Sequence, residues 1–295
     1  HYDFHLSNGA PFQVIASDGG LLEAPVTMRR LYMVPGERYD IIIDFSQYPL
    51  GTQIAFMDDL LHTDGNKPEG IRVPQPQLLF VVDRNAPDSS QVPQRLRVIP
   101  PPDVRNVIAT RRIEFDRRNG GWQINRRFWD PTRPLFTARA NTTERWHLIV
   151  GSGGWHHPFH VHIDSVRILS RNRRPAAVPV HERGRKDVVN VPGGSQAEVL
   201  MKIHSYTGRY MLHCHNPAHE DLYMMGFVDD TSNRTNFFQA EVQPTMEELL
   251  RMMQHDAQLW NDLLWASGGA LELPKCSYHH IRFDFDTVGP PHMKE

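Results

Sequence analysis

Over its first 230 residues the chain alternates short apolar, β-branched runs with clusters of Gly, Pro, Asn and Asp, the pattern of strands separated by turns. Phe12 to Ala16, Arg30 to Val34, Tyr39 to Phe45 and Gln77 to Val82 read as strands in a first block. Residues 84–105 break the pattern: Asn85-Ala-Pro and Pro100-Pro-Pro predict an extended linker. A second strand-rich block runs from about Val107 to Val228, with a Val- and Ile-rich strand from Phe159 to Leu169 and another from Gly208 to His215 that runs into a loop. Two Greek-key β-sandwiches joined by a proline-rich connector fit this order. The tail changes character. Thr245-Met-Glu-Glu248 has the form of a capping box, and Met246, Leu249, Leu250, Met253, Ala257, Trp260 and Leu264 recur at helical spacing. An amphipathic helix whose Met and Trp stripe serves packing is the expectation there.

At 295 residues the chain is long enough for two domains and a substantial core. A net charge of −2 gives no basis for nucleic acid or anionic membranes as partners. No apolar run approaches a membrane span of about 20 residues. Two cysteines, Cys214 and Cys276, make no disulfide framework. Asn141-Thr-Thr and Asn233-Arg-Thr are glycosylation sequons, which matter only in a secreted protein.

The chemistry is concentrated in two short stretches, His157-Pro-Phe-His160-Val-His162 and His213-Cys-His215-Asn-Pro-Ala-His219-Glu-Asp-Leu-Tyr-Met224. Two imidazoles, one thiolate and a weak axial thioether are the donor set of electron-transferring blue copper. Cys214, His219 and Met224 supply three of those four groups, and His157 is the natural fourth. Four histidines remain, in two H-x-H pairs. On a strand, residues i and i+2 share a face, so His160 projects with His162 and His213 with His215, while Cys214 points the opposite way. One strand would then carry a thiolate on one face and two imidazoles on the other, a covalent route for electrons between two metal centres. Imidazole suits copper, zinc, iron and nickel alike, so copper follows from the attachment to Cys214 and its Met partner.

These motifs, H-P-x-H-x-H and H-C-H-x-x-x-H-x-x-x-x-M, resemble the last two copper motifs of the multicopper oxidases, in the bilirubin oxidase and spore-coat laccase branch. Val14-Ile-Ala-Ser-Asp-Gly-Gly-Leu-Leu-Glu-Ala-Pro25, Glu37-Arg-Tyr-Asp, Thr143-Glu-Arg-Trp146, Gly154-Trp155 and Lys186-Asp-Val-Val189 resemble further segments, and the likeness covers about residues 1–240. It implies a partial second cupredoxin-like domain over 1–83, the linker over 84–105, and a third cupredoxin-like domain with the copper ligands over 106–230. The tail, 231–295, is left over, and Ala257 to His279 resembles a copia-type retrotransposon polyprotein segment with no catalytic role.

By position, the resemblance makes His157, Cys214, His219 and Met224 type 1 copper ligands, His160 a type 2 ligand, and His162, His213 and His215 type 3 ligands. Glu220 matches an acidic residue that relays protons to reduced oxygen. The expected activity is one-electron oxidation of a small aromatic donor, phenolic or tetrapyrrole-like, coupled to reduction of dioxygen to water, in a secreted or extracytoplasmic setting. The family's trinuclear cluster takes eight histidines, four of them from a first domain; His1, His5 and His62 form no such motifs here. The expectation is a C-terminal part of an oxidase whose first cupredoxin domain is missing. The competing readings are an electron-transfer module with one blue copper and no oxygen chemistry, and an inactive fragment.

Overall fold

The computed structural model describes residues 1–60, 75–151 and 154–230. The expected tail helix and retroelement-like segment, Asn233, Cys276 and His62 lie outside them. The first seven strands are β1 (Tyr2–Leu6), β2 (Phe12–Ser17), β3 (Gly20–Met28), β4 (Leu31–Met33), β5 (Tyr39–Ile42), β6 (Gln53–Asp58) and β7 (Gln75–Val81). They form a four-stranded sheet in the order β4-β1-β6-β7 and a three-stranded sheet in the order β3-β2-β5. In β2 the period-2 pattern is plain: Phe12, Val14 and Ala16 are buried and join Leu6, Leu22, Leu31 and Ile54 in or beside one core. Strands β1, β3 and β6 were not predicted. Pro25 sits inside β3, which is tolerated because β3 is an edge strand with no second ladder to serve.

The remaining strands are β8 (Val107–Arg118), β9 (Gly121–Ile124), β10 (Phe136–Ala138), β11 (Thr142–Val150), β12 (His157–Val161), β13 (Val166–Arg171), β14 (Val188–Val191), β15 (Gln196–Ile203), β16 (Gly208–Cys214) and β17 (Met225–Asp230), with one helical turn, α1 (Pro217–Glu220). Two five-stranded sheets result, β10-β17-β16-β12-β14 and β13-β15-β11-β8-β9. Their inner faces share a core that includes Ile113, Trp146, Leu148, Phe159, Val199 and Leu212. In β11, Glu144, Trp146, Leu148 and Val150 point inward in strict alternation. The buried Glu144 carboxylate is satisfied by Arg111, at 2.8 and 3.0 Å, and by the Trp146 indole N–H. The architecture is mainly β, as expected.

One expected element divides. The run Phe159 to Leu169 is two strands, β12 and β13, which belong to different sheets. Ile163 takes φ +70°, and Asp164 turns back to donate its N–H to the His162 carbonyl while its carboxylate binds His204. The mark of the change of sheet is Asp164-Ser165, a turn-favouring pair inside the Val- and Ile-rich stretch that the strand reading passed over.

Residues of the expected linker form no strand, yet they are held: the Leu96 N–H donates to the Glu23 carbonyl, and Arg167 donates to that of Pro100. The stretch Arg185–Val188 meets residues 17–19 and 37–39. There the fully buried Lys186 ammonium lies 3.2 Å from Asp18, 3.1 Å from Glu37 and 3.2 Å from the Tyr39 hydroxyl. Burial works against this ammonium and raises the Glu37 carboxyl, but with Glu37 and Asp18 both beside it the lysine stays protonated. Asp18 also accepts the backbone N–H groups of Asp187 and Val188. The two sandwiches are thus joined by a satisfied polar network directly behind the histidine-bearing strands.

Candidate metal centre

Strands β12 and β16 lie antiparallel, with Phe159 opposite Cys214 and His160 opposite His213. Facing residues share a side of the sheet, so the register puts Cys214 on the core side and pairs the two imidazoles on the other. After Cys214 the chain makes the single turn α1, capped by the Asn216 side chain, which accepts the Ala218 N–H, with Pro217 at the first position. That turn swings His219 back toward Cys214. The Cys214 N–H then donates to the Met224 carbonyl, and the Met224 N–H to that of His219.

The result is a buried triangle: His157 Nδ1 to Cys214 Sγ 3.4 Å, Cys214 Sγ to His219 Nδ1 3.6 Å, and His219 Nδ1 to His157 Nδ1 3.2 Å. Its centre lies about 2 Å from each corner, a metal–imidazole bond length. Two lone-pair nitrogens and a sulfur held this close in the core, with Met224 fully buried beside them, fit a copper ion of the blue type. Burial pushes the Cys214 thiol well above its usual range, with only a partial offset from the Asn216 N–H, so a cation is required for it to ionise here.

The rings are clamped by aromatic groups. Trp122 stacks on His219 with centroids 3.7 Å apart, Trp155 meets the same ring edge-on at 5.1 Å, and Phe115 stacks on His157. Arg117 lies over the outer side of Trp122. Trp122 was missed in the sequence. Its only signal is a lone Trp after the Gly120-Gly121 turn, which nothing local ties to His219, nearly a hundred residues downstream.

On the opposite face, His160, His162 and His213 bring ligand nitrogens within 4.8 Å of one another. His162 Nε2 and His213 Nε2 are 3.2 Å apart. The His215 ring lies 5.3 Å from that of His160 and 5.4 Å from that of His213, and its Nδ1 is buried with no hydrogen-bond partner. His160 Nδ1 donates to the Asp187 carbonyl, and His213 Nδ1 donates to that of Cys214 and lies 3.1 Å from Glu220 Oε2. Such outer contacts fix the tautomer and leave the other ring nitrogen free for a metal. Glu220, matched by the resemblance to a proton-relaying acid, touches a histidine of the cluster; its carboxyl is raised, mainly by burial. The group opens onto a hollow of about 550 Å³ bounded also by Asp164, Arg185, His204 and Tyr206.

The first sandwich reaches this face as well. Arg38 binds the Asp187 carboxylate through two bonds of 2.6 Å, and Gly36, at φ +86°, lies so close to His215 that a Cβ there would sit 2.6 Å from the ring.

Burial lowers the pKa of His157 to about 3 and those of His213 and His219 to about 4. In the unfolded chain each would titrate near 6.5, so between roughly pH 6.5 and 4 the unfolded state binds more protons and stability must fall as pH falls. For the metal-free chain the expected loss on going from pH 7 to pH 5 is about 2 kcal/mol per group, read as a lower denaturant midpoint. A midpoint unchanged between those pH values would show that the rings are not held neutral.

Comparison with known proteins agrees with this geometry. Residues 100–233 match the multicopper oxidase family model. The bilirubin oxidase of Albifimbria verrucaria is 37% identical over 238 residues, 75% of this chain and 40% of that protein. A laccase of Bacillus subtilis is 30% identical over 254 residues, 78% of this chain and 48% of that protein. Among solved structures, a laccase from Pediococcus acidilactici superposes with a TM-score of 0.68 at 25% identity, over 78% of this chain and 47% of its own. The chain spans about half the length of the curated relatives it matches.

Proposed function

This chain belongs, over residues 100–233, to the multicopper oxidase family, and from that premise we propose that it is the C-terminal part of an oxidase that draws single electrons from an organic donor and passes them to dioxygen. The family binds copper and uses organic substrates with dioxygen. The observation that carries the reading is Cys214: its sulfur completes the nitrogen–sulfur triangle on one side of β16 while its chain neighbours His213 and His215 enter the histidine group on the other.

In this reading His157, Cys214, His219 and Met224 would hold type 1 copper, His160 would be the type 2 ligand, and His162, His213 and His215 the type 3 ligands. Copper, when bound, supplies one-electron acceptance at the first site and dioxygen reduction at the second. Cys214 links the two through its own covalent bonds. The His219 and His157 rings face the donor, with Trp122 and Trp155 fixing the His219 edge. Glu220 holds a proton beside His213, where oxygen reduction consumes protons. Phenols, bilirubin-like tetrapyrroles and aromatic amines are the donor classes proposed, and the setting is extracytoplasmic; among the described residues no helix is long and apolar enough to cross a membrane.

The domain division at 83/84, 105/106 and 230/231, and a retroelement-like tail without catalytic role, belong to the same proposal. Four further histidines, from another cupredoxin domain entering at the open hollow, complete the trinuclear group. Copper loading followed by visible absorption and oxygen uptake with a phenolic donor tests it. An intense thiolate-to-copper band with uptake supports the oxidase; the band without uptake selects the electron-transfer module; neither indicates an inactive fragment. Met224→Leu is expected to leave copper bound and move its reduction potential upward, because the axial thioether is lost. An unchanged potential by redox titration would remove Met224 from the site; Met225 cannot replace it, because it pairs with His213 and so lies on the side of the sheet away from Cys214.

A further inference from the structure

We propose that His1 and His156, with Asn190, form a separate divalent-metal site that ties the first sandwich to the copper-bearing one. The two rings come from different sandwiches, His1 preceding β1 and His156 preceding β12, and their centroids are 5.0 Å apart. That spacing falls within the 4.9–5.4 Å found for the histidine pairs of the two clusters described above. Of these pairs, His157 and His219, at 4.9 Å, are the two assigned to a single ion.

His1 Nε2, His156 Nδ1 and Asn190 Oδ1 are buried here without a well-formed hydrogen bond, the Asn190 side chain being within hydrogen-bonding reach of the His156 ring. Asn190, in β14, lies against the His156 ring, and its strand neighbours β12 through the pairing of Pro158 with Asn190. The Tyr32 hydroxyl lies 2.8 Å from His1 Nδ1 and orients that ring. In the tautomer in which His1 Nδ1–H donates to the Tyr32 oxygen, Nε2 offers a lone pair, as do His156 Nδ1 and Asn190 Oδ1. One buried water has two hydrogens to give, so it leaves one of three acceptors unserved; a divalent cation takes all three. Imidazole nitrogens with an amide oxygen suit Zn²⁺, Cu²⁺ or Ni²⁺.

The site is distinct from the Cys214 centre. His156 and His157 are adjacent on an extended segment, so they face opposite sides, and His156 lies on the side of His160, four residues or about 13 Å along the strand. The inference uses only the His1 ring and stands whether or not the copper assignments hold.

Zinc stoichiometry of the full chain, by equilibrium dialysis and elemental analysis, tests it. His1→Ala and His156→Ala are each expected to bind one zinc fewer than the unsubstituted chain, and His147→Ala, on the other sheet, to bind the same number. Asn190→Asp replaces a neutral oxygen by a charged one and is expected to tighten the affected zinc about tenfold. Zinc should also raise the melting temperature of the unsubstituted chain more than that of His1→Ala. Unchanged counts in both histidine variants would overturn the proposal and assign the three atoms to a water. A fall with His156→Ala alone would overturn it too, since the ion would then belong to the His157 group.

Discussion

Replacing Cys214 with serine is expected to erase the visible thiolate band of the copper-loaded chain and to bring donor-driven oxygen uptake to background. The thiolate is one corner of the 3.2–3.6 Å triangle and the covalent link to His213 and His215, so a single atom serves both sites. Serine is nearly the same size, and its hydroxyl in this fully buried position costs about 1–3 kcal/mol if left unpaired, not enough to unfold a unit of this size. Near-unchanged circular dichroism therefore separates lost chemistry from lost structure. A band that survives in Cys214→Ser would put the copper elsewhere and remove the basis of the functional reading.

The second large effect is on stability. Lys186→Met is expected to destabilise the chain by about 3–5 kcal/mol, because it strands the Asp18 and Glu37 carboxylates in the junction between sandwiches. At about 2–4 °C per kcal/mol the melting temperature should fall by roughly 6–20 °C. Adding Asp18→Asn and Glu37→Gln to the same chain removes the stranded charges and should recover much of the loss. A loss below about 1 kcal/mol for Lys186→Met alone would mean that water reaches the site and that the network does not hold the junction.

The copper-type donor set was legible in sequence for local reasons. Cys214, His213 and His215 are consecutive, and the alternation of a strand assigns their faces without any knowledge of partners. The strands around Phe12, Tyr39 and Gln77 were read from local strand signals; β1, Tyr2-Asp-Phe-His-Leu6, alternates apolar and polar residues and was overlooked although its pattern was there, whereas β3, with Pro25, was not legible. The break at Ile163 was marked by Asp164-Ser165, but the Val and Ile residues on both sides of that pair read as one strand although they serve different sheets. Nothing local in the sequence tied Trp122, Gly36 or Arg38 to the site, since each acts far away in the chain: Trp122 on His219, Gly36 on His215, and Arg38 on the Asp187 that holds His160.

By itself, then, the amino-acid order determined which atoms can bind metal and which side of a strand each faces, because covalent neighbours and a two-residue repeat settle both. Only the tertiary structure decided that Trp122 stacks on His219, that Gly36 closes on His215, and that Lys186 neutralises carboxylates from the other sandwich. Those contacts join residues more than fifty positions apart, and nothing short of packing two sheets and burying a junction specifies which of many distant side chains comes within reach.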